Sequence, residues 1–330
     1  MFTENADSYN RRIDYLRISI TDRCNLRCCY CMPAGGVYPV KHREILRYEE
    51  ILRIVRVFAG MGLTKVRLTG GEPLLRKHVC GLVERIVKQE GIRDVGITTN
   101  GVLLKEMAQP LYDAGLRRIN VSLDTLNPLK FRMITGTDHH REVLAGISEA
   151  ERVGFDPIKV NVVLLKNINS DDLLRFAQLS RNTRYQVRFI EWMPIGRCRG
   201  EDGSRFFSAQ DAKKLLESTG RLIPIPRSRY DGPAERYRFD SAAGEVGLIG
   251  SVSNHFCREC NRMRLTADGK LRPCLLSDEE VDVRSALRAN CSDHCLSRLI
   301  QTAIALKPAK HGLDFRSDHV CRRDMSQIGG

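Results

Sequence analysis

Apolar positions along the first two-thirds of the chain recur with two periods that take turns. Runs with every second position apolar read as strands at residues 15–21, 65–69, 94–99, 118–124, 158–164 and 186–192. Stretches of helical spacing separate them, as over residues 49–61, where Ile51, Val55 and Phe58 recur. Strands alternating with helices predict a parallel sheet with crossover helices, an α/β fold. Six such units suit a partial, open TIM-like (β/α)6 barrel rather than a closed one of eight strands. Barrels of this kind collect reactive groups at the carboxyl ends of their strands. Cys24, the Gly70-Gly71-Glu72-Pro73 run and Asn100 fall at such ends.

The strands carry a second pattern. Side chains alternate across a strand, so the first puts Arg17, Ser19 and Thr21 opposite Leu16, Ile18 and Ile20. The second opposes Lys65, Arg67 and Thr69 to Val66 and Leu68, and the fourth Asn120, Ser122 and Asp124 to Ile119, Val121 and Leu123. Lys159, Asn161 and Arg188 extend the polar set. The apolar face has to meet the helices, so the polar face points into the lumen. Five basic residues there call for counter-charge, because a buried unpaired cation is costly. A polyanionic ligand would supply it; internal salt bridges or solvated strand ends are the plainer alternative.

Composition narrows the class. At 330 residues and 42% hydrophobic, the chain suffices for one large domain and a smaller one. The expected division is an N-terminal extension (1–13), a barrel (14–219) and a C-terminal domain (220–330). The last begins with short apolar runs among Pro224, Pro226, Gly232 and Pro233, and a helix near 209–218 leads into it. No apolar run approaches the ~20 residues that span a bilayer, and the polar first ten residues are unlike a secretory signal. No membrane association is therefore expected. Twelve cysteines spaced for metal suit a reducing cytoplasm. A net charge of +13 favours an anionic partner, nucleic acid or polyphosphate.

The cysteines carry the chemistry. Cys24, Cys28 and Cys31 form C-x3-C-x2-C directly after the first strand, with Tyr30 beside the last. Three thiolates can hold three corners of a [4Fe–4S] cubane, leaving one iron open to chelate a small molecule. Structural zinc is closed by four ligands, and no fourth is apparent nearby. With Gly70-Gly71-Glu72-Pro73, this motif resembles the radical S-adenosylmethionine (SAM) superfamily. That resemblance implies a SAM-binding cluster whose reduction yields a 5′-deoxyadenosyl radical, and hence an electron donor.

A second set, Cys257, Cys260 and Cys274, has C-x2-C-x13-C spacing beside Asn261, Arg262 and Arg264. The C-x2-C pair alone reads most readily as half of a zinc site. Three thiols could also hold a second cluster with an open iron, next to cations suited to a phosphate or base.

Both triads together, with Lys65-Val66-Arg67-Leu68-Thr69, Thr98-Thr99-Asn100-Gly101, Asn120-Val121-Ser122-Leu123-Asp124 and the final Ile328-Gly329-Gly330, resemble the GTP 3′,8-cyclase family of molybdenum cofactor biosynthesis. The resemblance runs nearly end to end. It implies two [4Fe–4S] clusters, SAM as cofactor and GTP as substrate. Product would pass to pyranopterin monophosphate synthase, and a homodimer stays open. Metal ligands would be the six cysteines. Tyr30, Gly71, Ser122 and Met193 would contact SAM. Arg17, Arg67, Thr98, Lys159, Arg262, Met263 and Arg264 would contact GTP, with Lys65 and Arg188 on its triphosphate. Arg17, Arg262, Arg264 and the Gly329-Gly330 tail would assist catalysis.

Two rivals are weighed. A radical SAM peptide-modifying enzyme keeps the class but leaves the convergent cations unexplained. A basic zinc protein that binds nucleic acid explains the charge and the C-x2-C pair. It leaves Cys24, Cys28, Cys31 and the Gly-Gly-Glu-Pro run unexplained, and shows no aromatic set for base stacking. Cys29, Cys80, Cys198, Cys291, Cys295 and Cys321 receive no role; Cys291, His294 and Cys295 share helical spacing but lack a complete ligand signature. His139 and His140 read as loop residues.

Overall fold

A computed structural model describes residues 5–33, 35–196, 204–227, 231–312 and 321–329. Six βα units build its first half. Their strands are β1 (Tyr15–Ser19), β2 (Lys65–Thr69), β3 (Asp94–Thr99), β4 (Arg118–Ser122), β5 (Ile158–Leu164) and β6 (Gln186–Glu191). The helices between them are α1 (Tyr48–Gly60), α2 (Val79–Val87), α3 (Leu104–Asp113), α4 (Pro128–Thr135), α5 (His140–Val153) and α6 (Leu173–Asn182). Strand ends fall within two residues of the expected ones, the usual uncertainty where pairing stops and a loop begins.

Local chemistry sets the helices. On α1, Ile51, Ile54, Val55 and Phe58 form the buried stripe, while the Glu50 carboxylate accepts from the Arg47 amide that precedes the helix. On α4, Asn127 accepts from the amides of Leu129 and Lys130, Pro128 opens the helix, and Gly136 ends it at φ 72°. His140 is a helix residue, not a loop one. Its ring is buried and meets Phe131 edge-on, which a loop reading of two adjacent histidines could not foresee.

The second half completes the sheet. It contributes α7 (Ala209–Glu217), β7 (Leu222–Ile225), β8 (Glu235–Phe239), β9 (Glu245–Ile249), β10 (Arg262–Leu265), β11 (Lys270–Arg272), β12 (Val281–Asp282), α8 (Val283–Arg288), α9 (Asp293–Ala305) and α10 (Met325–Ile328). The strand order is β12-β11-β10-β1-β2-β3-β4-β5-β6-β9-β8-β7. Strands β10 and β9 run parallel to β1 and β6. Chain beyond residue 219 thus joins both edges of the barrel sheet. The fold is a partial TIM-like barrel whose edges are finished by antiparallel strands.

Burial follows the alternation. Leu16, Ile18, Val66, Leu68, Ile119, Val121, Val160 and Val162 are essentially inaccessible, packed in the core under the helices. The opposite faces point into the lumen. No helix among the described residues is long and apolar enough to cross a membrane.

Candidate active site

Register brings the lumen side chains into layers. Arg264, Arg17 and Arg67 are neighbours across β10, β1 and β2, and the next position, on β3, is Gly96. A Cβ there would stand 3.0 Å from the Arg67 guanidinium, so glycine leaves that side chain its room. Lys159 lies beside Asn120, and Arg188 beside Asn161. A cavity of about 330 Å³ runs through these layers.

At one end the first triad lines this cavity. Two glycines let its loop form. The amides of Gly71 and Glu72 donate to the carbonyls of Thr21 and Arg23, so the loop after β2 lies against the loop carrying Cys24. A Cβ on Gly70 would sit 2.5 Å from the Thr21 oxygen, and one on Gly71 2.3 Å from that of Arg23. Glu72 turns inward and accepts from the Leu74 amide, the Thr99 hydroxyl and the Asn100 amide at 3.0, 2.7 and 2.6 Å. Burial nonetheless pushes its carboxyl up to about 7. Asn100 in turn donates to Asn25 and reaches the Cys24 sulfur at 3.7 Å.

The Cys28 thiol is held well above the ordinary range by burial, then by Cys31, Asp124, Cys24 and Cys29 nearby. The Tyr30 hydroxyl donates to Asp124 at 2.6 Å. Three thiols around one cavity wall are a donor set that fits an iron–sulfur cluster. Ser122, Gly71 and Met193 line the same cavity. Cys29 does not; its amide is tied to the Ile134 carbonyl.

The second triad lines the cavity as well. Burial pushes the Cys257 thiol up, and Cys274 and Cys260 add to this. For Cys260 burial acts in the same sense, but Arg262 and Lys307 outweigh it and bring the thiol down to about 6. Among the described residues no three His, Cys, Asp or Glu converge closely enough for a single metal ion. That holds for both triads and for Cys291, His294 and Cys295.

Between the triads stand the cations. Lys65 pairs with Asp94 at 3.1 Å, and Arg118 also meets Asp94. Arg188 donates twice to Asn161. Among the described residues no carboxylate lies against Lys159; burial first, then Arg188, Arg67, Arg118 and Lys65, bring its ammonium down to about 6. Among the described residues, buried Arg67 Nη1, Thr98 Oγ1 and Asn120 Oδ1 have no hydrogen-bond partner, which a native interior rarely tolerates unless a ligand completes it.

Of the expected residues that are described, Met263 and Gly329 are not among those lining the cavity. The Met263 side chain is fully buried in the core, because on β10 the lumen positions are Arg262 and Arg264. Gly330, like Cys198, lies outside the described residues. Gly329 is at φ 73°, and its carbonyl accepts from Arg264 at 3.1 Å and Arg17 at 3.3 Å.

Three residues escaped the sequence reading. Tyr15, on the lumen face of β1, accepts from Arg67 Nε at 3.0 Å with the Lys65 ammonium 4.9 Å from its ring. Burial alone would raise its phenol, but Arg67, Arg17, Lys65 and Arg262 pull it down to about 6. Its alternation with Arg17 was the available signal. Lys307 donates to the carbonyls of Arg262 and Pro273, both at 2.7 Å, and Arg11 to those of Cys257 and Pro308. These two cations hold the second cysteine loop, and no local pattern marks them.

Comparison with known proteins agrees with this arrangement. The radical SAM superfamily matches residues 18–180, and the family described as Molybdenum Cofactor Synthesis C matches residues 185–313. The GTP 3′,8-cyclase of Thermodesulfovibrio yellowstonii is 50% identical over 326 residues, 98% of this chain and 99% of that protein. Those of Alkaliphilus metalliredigens and Moorella thermoacetica are 46% identical over 324 and 326 residues, again 98% of this chain and 99% of each protein. Streptococcus suis SuiB bound to S-adenosylmethionine shares the fold, at TM-score 0.61 and 15% identity, over 97% of this chain and 79% of that one. The chain belongs to the GTP 3′,8-cyclase family of the radical SAM superfamily.

Proposed function

We propose that this chain cyclises GTP to 3′,8-cyclo-7,8-dihydro-GTP, an early step towards molybdopterin. Cys24, Cys28 and Cys31 hold one [4Fe–4S] cluster, and Cys257, Cys260 and Cys274 hold a second. The observation that carries the reading is a single cavity lined by both thiol triads with a bank of cations between them. Reduced and bound with SAM, the first cluster would supply a 5′-deoxyadenosyl radical to remove the ribose 3′ hydrogen, and an external reductant would return one electron, with a proton, to the cyclised radical.

The chain's own residues bind and orient. Tyr30, Gly71, Ser122 and Met193 border the SAM end. Arg67, Lys65, Lys159 and Arg188 take the triphosphate, with Thr98 and Asn120 offering their free polar atoms to the nucleotide. Arg17, Arg262 and Arg264 lie at the guanine end beside the second triad, and Met263 contributes backbone. Arg17 and Arg264 also donate to the Gly329 carbonyl, which supports the reading of the Gly329-Gly330 tail as a catalytic group. Fixing C3′ near C8 before the radical forms turns the ring closure into a positioned intramolecular step, and substrate filling the lumen would keep water from the radical.

The domain division at about residues 13 and 219 is retained as part of this reading: the barrel carries the SAM cluster and most of the GTP contacts, and the remainder carries the second cluster. An external reductant, transfer of product to pyranopterin monophosphate synthase and a cytoplasmic site complete the reading, and a homodimer stays open. Cys257→Ala tests it. The variant is expected to cleave SAM without cyclising GTP; normal cyclisation by this variant would sink the substrate-cluster assignment.

A further inference from the structure

A second concavity, of about 730 Å³, opens outside the lumen and shares none of its lining residues. Its floor includes Ile20, Thr21 and Arg23, the segment running from β1 to the first cluster cysteine. Consecutive Cα atoms are about 3.8 Å apart, so Arg23 is that far from Cys24 and Thr21 is at most about 11 Å away.

This groove is basic and rigid. Arg23, Arg43, Arg47 and Lys77 are exposed around it, with His42 among them. Two more arginines hold it in shape. Arg76 donates to the carbonyls of Ile20 and Leu46 at 2.6 and 2.7 Å and stacks 4.1 Å from the Tyr48 ring. Arg288 donates to the carbonyls of Arg43 and Ile45 and to Glu50. Glu50 is thereby engaged, and Arg47 meets it at 3.5 Å as well; exposed Glu49 stands beside Arg76, and half-buried Glu44 follows Arg43. The exposed cations come from three separate segments, a spread that matches a carboxylate-rich protein surface better than one phosphate. Arg76 covers one face of Tyr48, and the lining holds no further Tyr, Phe or Trp for base stacking.

We propose that this groove docks an acidic one-electron carrier protein that reduces the cluster of the first cysteine triad. The inference rests on the reading that Cys24, Cys28 and Cys31 hold a reducible cluster. In the step the carrier loses one electron and the cluster gains one; no bond is made or broken. Complementary charge speeds such encounters and makes them sensitive to salt.

The test compares reconstituted full-length enzyme with Arg43→Glu/Lys77→Glu, and with Lys105→Glu/Arg141→Glu as a control of equal charge change on α3 and α5. The probe is reduced flavodoxin. Its affinity at low and high salt and the rate at which it bleaches the cluster absorbance near about 400 nm are both read. The groove variant is expected to bind flavodoxin and accept its electron at least about tenfold less well, while dithionite still bleaches it and drives GTP cyclisation within about twofold of the wild type. Flavodoxin kinetics unchanged in the groove variant, or slowed equally in the control, would overturn the docking. So would a wild type that prefers duplex DNA to flavodoxin and loses the DNA with Arg43 and Lys77. A wild type with no reducible chromophore would remove the underlying cluster reading and the docking with it.

Discussion

The strongest quantitative consequence of the lumen concerns protons. With Lys159 and Tyr15 both near 6, at pH 8 the ligand-free enzyme carries a neutral amine and a phenolate beside its arginines. Holding Lys159 charged at that pH costs about two pH units, or about 3 kcal/mol. A bound triphosphate reverses both preferences, since its negative charge favours the ammonium and opposes the phenolate. GTP is already fully ionised at pH 8, the second phosphate pKa being about 6, so it adds no proton of its own to the balance. Binding at pH 8 should therefore take up about two protons per GTP, one each on Lys159 and Tyr15. Lys65, brought down to about 8 by burial first, with Tyr15 opposing the shift and Arg67 adding to it, contributes about half a proton more. The sign follows: affinity falls as pH rises above 6, about tenfold per unit for each proton absorbed. Calorimetry of GTP binding in buffers of different ionisation enthalpy reads the uptake directly. Lys159→Met and Tyr15→Phe should each lower it by about one. Uptake near zero at pH 8 in the wild type, or no change in either variant, would refute the reasoning.

Other consequences are simpler. Glu72→Gln turns an amide NH2 towards one of three donors that now meet a carboxylate, so thermal or urea unfolding should show a loss of about 1–3 kcal/mol; an unchanged midpoint would deny Glu72 its bracing role. Gly329→Ala places a Cβ 2.9 Å from Thr69 Cγ2 at φ 73°. It should therefore depress GTP cyclisation strongly while leaving SAM cleavage and cluster content intact, and full cyclisation would remove the tail from the catalytic groups.

Much of this molecule was legible because its signals are local. Alternation along 15–21 or 118–124 depends on neighbours two residues away, and it correctly separated the lumen side chains of Arg17 and Asn120 from the core side chains of Ile18 and Ile119. The cysteine spacings were equally local. What escaped was long-range. That β10 pairs with β1 across some 245 intervening residues leaves no mark in either segment, since parallel pairing requires only two apolar faces. Lys307 and Arg11 act through backbone carbonyls far along the chain, and such bonds carry no side-chain signature at the acceptor. The resemblance names Met263 a GTP contact together with Arg262 and Arg264; alternation puts its side chain on the core face, which leaves only its backbone for that contact.

The most direct test of the account is anaerobic turnover of the reconstituted protein with SAM, dithionite and GTP deuterated at C3′. Deuterium recovered in 5′-deoxyadenosine, together with cyclised GTP, is the predicted result. Undeuterated 5′-deoxyadenosine with GTP returned intact would contradict it, leaving a radical SAM enzyme whose substrate is something else.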